Sequence, residues 1–312
     1  MFKKYIMHFV KGYMCLSCAF LLFSCSDDNR DQPKFELAAS IFNTVKGKKV
    51  AFQGITNSAV SWQWDFGDGS TSTEQNPVHT YNDGGYYTIV FQATDDEGNT
   101  VTDEVTLAID LTPYVLLTGG ATDSDGKTWR LSAEHSSNDG FFVADEANTA
   151  IESPLPTGAL NTALGMPEVY EDEFTFYFNG DYEIDVQDDN AAFSGLVYQF
   201  ITTGGAGIVN PSTDQDFGLC TGAYAPEPNL EFTFTESSEV MITSVFGDVA
   251  YGGIGALDFS GNGYVGFLDF QQKVVVQEIT ENTMRLAMFM AAEPEYPGVN
   301  TYFLSLTFEA VK

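Results

Sequence analysis

Basic residues are scarce in this sequence. The 312 residues include 13 Lys and Arg against 44 Asp and Glu, a formal net charge of −31. A nucleic-acid binder needs clustered cations to displace counterions from phosphates, so that class is excluded. The same acidity repels anionic lipid and suits a soluble protein that meets neutral partners. Histidine is scarcer still: beyond the first 24 residues only His79 and His135 occur. A zinc site or a Ser-His-Asp triad would rest on His135 alone, because His79 falls inside a structural motif described below. Of the 4 cysteines, Cys15, Cys18 and Cys25 lie near the N-terminus, which leaves Cys220 without an intrachain disulfide partner. Its plainest reading is a small buried hydrophobe. Long apolar stripes at helical period are missing outside the N-terminus. Alternation at period two recurs instead, with 44% apolar and 14% aromatic residues. That pattern predicts an all-β chain, and its length allows two domains.

The N-terminus MFKKYIMHFVKGYMCLSCAFLLFSC has a cationic start at Lys3, Lys4 and Lys11 and an apolar run from Gly12 to Phe23. The run is short for a membrane span and reads as a leader. Leu22-Phe23-Ser24-Cys25 resembles a bacterial lipobox, which implies cleavage after residue 24 and lipidation of Cys25. Loss of the three leader lysines takes the net charge from −31 to −34. Ser26-Asp27-Asp28 is similar to surface-export signals of Bacteroidota lipoproteins. The expectation is therefore an outer-membrane, lipid-anchored protein on the cell surface, touching membrane only through its anchor. Residues 1–24 form the leader, 25–34 a tether, 35–112 a first domain and 113–312 a second.

The first domain contains WDFGDGST, Trp64 to Thr71. Its Asp-Phe-Gly tripeptide occurs in kinases, but the partner motifs of a kinase are missing. Gly67-Asp68-Gly69 instead reverses the chain after an apolar strand, with Asp68 able to accept turn amides. Trp64-Asp65-Phe66-Gly67-Asp68-Gly69, Asn76-Pro77-Val78-His79-Thr80-Tyr81 and Gly85-Tyr86-Tyr87 together resemble the PKD domain, an immunoglobulin-like module. The resemblance implies a small two-sheet sandwich in which Trp64 and Tyr81 are core and the Gly-rich stretch is a turn. Calcium at Asp65 or Asp68 is the competing reading. Asp95-Asp96-Glu97-Gly98 reads as an acidic hairpin turn.

Beyond Asp110-Leu111-Thr112-Pro113 lie about 200 residues with strand patterns over Lys127–Ala133, Glu173–Phe178, Tyr182–Val186, Leu230–Thr235, Val240–Val245, Tyr264–Phe270, Val274–Thr280, Met284–Met290 and Thr301–Phe308. These predict a larger antiparallel β-sandwich, jelly-roll-like, with a lipocalin-like barrel as the alternative suggested by Gly126-Lys127-Thr128-Trp129. FTFYFNGDYEIDV predicts a hairpin turning at Asn179-Gly180. Asp123-Ser124-Asp125-Gly126 is a fragment of a calcium loop, which makes Asp123 and Asp125 metal candidates. No other cofactor is expected. Glu183, Asp185 and Asp188 resemble the carboxylate signature of family-16 glycoside hydrolases, in which alternate strand residues place a nucleophile and its helper on one face. The plainer reading is a solvated strand face.

Two long stretches, Glu134–Val169 and Thr202–Asn229, look irregular and carry Phe141, Phe142, Phe217 and Tyr224, with Tyr170 at the exit of the first. Aromatic faces beside amides and carboxylates suit sugar, where rings stack on C–H faces. LLTGGATDSDGKTWRL, YEDEFTFYFNGDY and VVVQEITENTMRLAM resemble PKD-bearing surface lipoproteins of Bacteroidota polysaccharide-utilisation loci. That resemblance implies a non-enzyme that captures a neutral or weakly charged polysaccharide through those five aromatics. It also implies a TonB-dependent transporter and a SusD-like protein as partners. The alternatives are a degenerate glycoside hydrolase using Glu183 and an adhesin or structural surface protein.

Overall fold

The structure is a computed structural model that describes residues 35–311. The leader, Cys25 and the whole tether, residues 25–34, lie outside the described residues. The first domain has strands β1 (Ala38–Lys46), β2 (Lys49–Asn57), β3 (Ala59–Asp65), β4 (Thr71–Ser72), β5 (Val78–Thr80), β6 (Gly85–Asp95) and β7 (Thr100–Ile109). Sheet β1-β2-β5 faces sheet β4-β3-β6-β7, an immunoglobulin-like sandwich. Alternation put Val50, Phe52, Trp64, Ile89 and Phe91 on the inner faces, and all five are buried. The Trp64 ring stacks on Phe91 at 4.2 Å and its indole N–H donates to the Glu74 carbonyl at 2.9 Å. The apolar pattern of β7 breaks at Asp103 because its carboxylate accepts the Ile41 amide at 2.8 Å, tying one sheet to the other.

Residues 113–118 form a helix, α1 (Pro113–Thr118), that strand alternation did not reveal. Thr112 caps it by accepting the Val115 amide, Pro113 starts it, and Gly119 at φ +83° ends it. Its Leu117 carbonyl accepts the Trp129 indole N–H at 2.9 Å, so the helix closes one end of the second domain. The same linker touches the first domain. Thr122 donates to the Tyr86 carbonyl, and the Tyr86 hydroxyl donates to Glu281 at 2.7 Å.

The second domain has β8 (Lys127–Leu131), β9 (Gly140–Val143), β10 (Ala150–Glu152), α2 (Ala159–Thr162), β11 (Glu173–Phe176), β12 (Asp181–Asp185), β13 (Ala191–Gly195), α3 (Leu196–Thr203), β14 (Ile208–Asn210), β15 (Leu219–Ala223), β16 (Leu230–Glu236), β17 (Glu239–Ser244), β18 (Gly247–Gly252), β19 (Gly255–Phe259), β20 (Val274–Ile279), β21 (Thr283–Met290) and β22 (Tyr302–Ala310). Eight of them close a ring in the order β8-β11-β12-β16-β19-β20-β21-β22, because β22 returns to pair with β8. Every pairing in the ring is antiparallel. The domain is thus the closed barrel rather than the two-sheet jelly roll. Eight strands leave room only for side chains, and Trp129, Phe174, Phe176, Tyr182, Leu286 and Phe308 fill it.

The first half of β22 pairs with β9 and its last residues with β8, so β9 and β10 continue the sheet beyond the ring. Hairpin β17-β18 covers the outside of the barrel, burying Val240, Ile242 and Tyr251 against Val275, Phe289 and Phe303. The expected strand over Tyr264–Phe270 is instead an irregular plug, with Tyr264, Val265, Phe267 and Leu268 all in the barrel core. Gly266 there sits at φ +68° with Phe308 so close that a Cβ would lie 2.3 Å from its ring.

Candidate functional site

The Gly-rich stretch of the first domain is a self-satisfied turn. Asp65 accepts the Gly67 amide and Asp68 the Ser70 amide, each at 2.9 Å. The other Asp68 oxygen lies 2.7 Å from His79 Nε2, and that imidazole stacks on Phe66 at 4.3 Å. The Tyr81 hydroxyl donates to the Phe66 carbonyl at 3.0 Å. Gly67 at φ +77° leaves no space for a Cβ, which would stand 2.6 Å from the Thr88 carbonyl oxygen. Gly69 also has positive φ, at +84°. Burial works to raise the Asp68 carboxyl, but the His79 and Ser70 hydrogen bonds outweigh it and hold it below its ordinary value. Every polar group of the motif that the sequence offered for chemistry has a structural partner.

The carboxylate series does not assemble. Glu183 and Asp185 do share the outer face of β12, but Glu183 accepts the Tyr177 hydroxyl at 2.9 Å and Asp185 accepts the Gln187 amide at 2.8 Å. That turn ends the strand, so Asp188 stands in a short 3₁₀ segment, Gln187–Asp189, off the strand face. The hairpin itself turns over Tyr177–Gly180, four residues rather than two, which frees Phe178 to pack edge-on to Tyr114. Asp123 accepts the Asp125 amide at 3.2 Å in a local turn. Among the described residues, no group of three or more His, Cys, Asp or Glu is placed to hold a metal ion.

A carboxylate the sequence reading passed over is the pin of the first long loop. Asp139 is fully buried and receives Ser136 Oγ at 2.5 Å, the Thr307 amide at 2.8 Å and the Thr307 hydroxyl at 2.7 Å. His135 Nδ1 lies 3.2 Å from the same carboxylate and its Nε2 lies 2.9 Å from the Tyr170 oxygen, which also accepts the Leu160 amide. Burial raises the Asp139 carboxyl, yet the bonds from His135, Ser136 and Thr307 together hold it below the usual carboxylate range. Asp139, His135 and Tyr170 thus form a chain of hydrogen bonds, with the first two side chains shut away from solvent and Tyr170 half-buried. It fastens the loop to β22 and leaves no nucleophile exposed. Two other buried acids move the opposite way. Burial, then the charges of Asp189, Asp185 and Glu168, pushes Asp172 up to about 8, and burial pushes Asp269 up to about 7. Cys220 is buried and its thiol is pushed up to about 12 by burial and by Asp269.

The five loop aromatics are not an open sugar platform. Phe141 and Tyr224 are buried in the barrel core, and the Tyr224 hydroxyl donates to the Asn262 carbonyl at 3.1 Å. Phe142 stacks on Phe303 at 5.1 Å, and Tyr170 belongs to the His135 chain. Phe217, half-buried like Phe142 and Tyr170, borders open space 5.8 Å from the Phe141 ring. There the structure opens a hollow of about 490 Å³, walled by Phe141, Phe217, Tyr302, Ile151 and the first residues of α3. Asp216 and Glu293 supply its charge. Behind Phe141 and Phe217 lies a recess of about 50 Å³, lined by Leu155, Ala159, Leu160, Leu164 and Leu219 with Glu152 as its one polar residue. Four chain segments far apart in sequence build this site, around residues 141–164, 196–197, 215–219 and 292–304. The only sequence signal for it was the pair of aromatics, one in each long loop.

Comparison with known proteins bears on both domains. The PKD domain family matches residues 30–109. The chain is 29% identical over 156 residues to the pre-pro-metalloprotease PrtV of Vibrio cholerae, a span covering 49% of this chain and 16% of that protein. It is 48% identical over 50 residues to collagenase ColQ1 of Bacillus cereus, 16% of this chain and 5% of that one. The solved PKD1 domain from the Vibrio cholerae metalloprotease PrtV is 33% identical, with all of that domain covered by 25% of this chain and a TM-score of 0.24. The chain therefore spans only a small part of the length of the curated relatives it matches. The metalloprotease match overturns the resemblance to polysaccharide-utilisation lipoproteins. With it fall the reading of a non-catalytic polysaccharide binder, its glycosidase and adhesin alternatives, and the expectation of a chain unconnected with an enzyme. The transporter and SusD-like protein lose the resemblance they rested on. What stands is the PKD module, residues 30–109, similar to the PKD1 domain of that metalloprotease.

Proposed function

We propose that this chain is a protease-associated module that holds a stretch of unfolded polypeptide in the hollow between its long loops. The hollow carries the reading. It is large enough for several side chains, mixes rings with polar groups, and is fixed from below by the Asp139 pin rather than left on a loose loop. The metalloprotease similarity supplies the kind of partner, because the aligned span is longer than the 80 residues of the PKD match. The leader and Cys25 support export to the outer membrane with a lipid anchor; labelling with a radioactive fatty acid should mark the natural protein and miss Cys25→Ser.

The test is binding of fluorescein-labelled, unfolded casein to residues 26–312, read by anisotropy. Phe217→Ala should weaken binding at least about tenfold, the loss of roughly 1.4 kcal/mol. Equal binding by the natural protein and by Phe217→Ala would remove the hollow from the reading. Casein cleavage is followed in the same samples, and its appearance would make the hollow an active site instead of a holding site.

A further inference from the structure

The wall of the hollow is also the edge of a sheet. Strand β10 is the outermost strand of the extended barrel sheet and is exposed throughout. An edge strand presents backbone N–H and C=O groups that a second chain can pair with. Proteins usually blunt such edges with charge, a bulge or cover. Here the edge keeps Ile151, 44% exposed, on the side of the hollow, and Glu152 beside the apolar recess. A register irregularity between Ala150 and Glu152 limits the strand to a short stretch. A guest strand laid along it would carry alternate side chains toward the hollow and away from it.

The chemistry of the walls then selects the guest. None of the residues lining the hollow or the recess is basic, while Asp216 and Glu293 line the first and Glu152 the second. Asp216 and Glu293 are exposed, so they can meet a cation without first losing water. The recess has only apolar lining apart from Glu152, and its volume of about 50 Å³ suits one small aliphatic side chain rather than a ring. Phe217 borders both spaces and sits where the guest chain would pass from one to the other.

We infer that β10 takes up an extended peptide by strand addition, with one aliphatic side chain in the recess and Lys or Arg beside Asp216 and Glu293. This rests on the polypeptide-holding reading and gives that reading its mode and its sequence preference. Main-chain pairing supplies affinity, and the two side-chain positions supply selectivity.

The experiment uses residues 26–312 and labelled octapeptides. The reference probe alternates Lys and Val. Replacing Lys with Glu, or Val with Gly, should each weaken binding at least about tenfold. Two further probes are N-methylated, one on every Val and one on every Lys. Strand addition uses the amides of alternate residues, so one probe should lose at least about tenfold and the other stay within about twofold. Asp216→Lys combined with Glu293→Lys alters exposed positions only and should reverse the preference between Lys and Glu probes. Ala159→Phe fills the recess and should erase the preference for Val over Gly; a circular dichroism melt checks that it folds. If casein binds while the octapeptides show no order and both N-methylated probes bind alike, strand addition is overturned and polypeptide holding survives. If neither casein nor any octapeptide binds, both are overturned.

Discussion

The two domains close their polar accounts differently. In the PKD sandwich, Asp65, Asp68, Asp95 and Asp103 each accept backbone amides, and Trp64, Tyr81 and Tyr87 each donate to a carbonyl. In the barrel domain, Gln199 Oε1, Asp269 Oδ2, Asn300 Oδ1 and the hydroxyls of Tyr251 and Tyr264 are buried without a hydrogen-bond partner. Among the described residues, all the buried unpartnered side-chain atoms fall in the barrel domain. Unsatisfied buried groups cost stability and gather where a fold does something besides stand. The acid-rich PKD motif, which looks chemical in sequence, is therefore architecture, and the polar groups to spare lie in the barrel domain, some in its core and some under the β17–β18 hairpin.

Removing one buried anchor from each domain separates their roles. Trp64→Ala should cost about 3–5 kcal/mol, read from urea unfolding of residues 26–312, because a fully buried ring and its hydrogen bond both go. Casein binding at low denaturant should be unchanged; if it fails together with the sandwich, the two domains work as one. Asp139→Ala should cost about 3 kcal/mol and abolish casein binding, since Thr307, Ser136 and His135 lose a shared acceptor and the loop loses its pin. A variant that loses stability but binds casein normally would detach the pin from the site.

The next effect is in pH. Asp269 and Asp172 have folded values of about 7 and about 8, above the ordinary value near 3.9. The folded barrel therefore holds protons that the unfolded chain releases, so its stability should fall as pH rises from about 4 to 8 and level off above. Asp68 is lowered, so its contribution is present above about pH 4 and is lost as pH falls further. Hydrogen exchange resolved by domain should show the barrel amides less protected at pH 8 than at pH 5, after correction for intrinsic rates. Asp269→Asn should flatten that slope and add about 2 kcal/mol at pH 8. A barrel equally stable at both pH values would mean that these acids ionise freely when folded. The smallest effect belongs to Asp68→Asn, whose half-buried pair with His79 at the rim of the sandwich contributes about 1 kcal/mol or less at neutral pH.

Much of the fold was legible where apolar and polar residues alternate. The pairs Phe174 with Ile184 and Phe176 with Tyr182 follow from period two, and the register places them so. Legibility failed where burial is two-sided. YVGFLDF reads as a strand because continuous apolar character does not separate a strand from a buried plug. LVYQFITT hides α3 because its apolar residues are spread around the helix, leaving Phe200 and Ile201 half exposed. The carboxylate signature of Glu183, Asp185 and Asp188 presumes a strand that continues, and the Asp185 turn stops it. Of the hollow only Phe141 and Phe217 were legible, since Ile151, Phe217 and Glu293 meet only after the barrel closes.

Closure of that barrel depends on its last strand. Residues 302–310 complete the ring by pairing with β8, near residue 130, whereas the sandwich seals within residues 38–109. A chain emerging N-terminus first can thus finish the sandwich while the barrel is still an open sheet with two raw margins. The barrel and the hollow beside it thus come into being together, only once residues 302–310 have emerged. A polypeptide held there would meet a site that does not exist until that strand is in place.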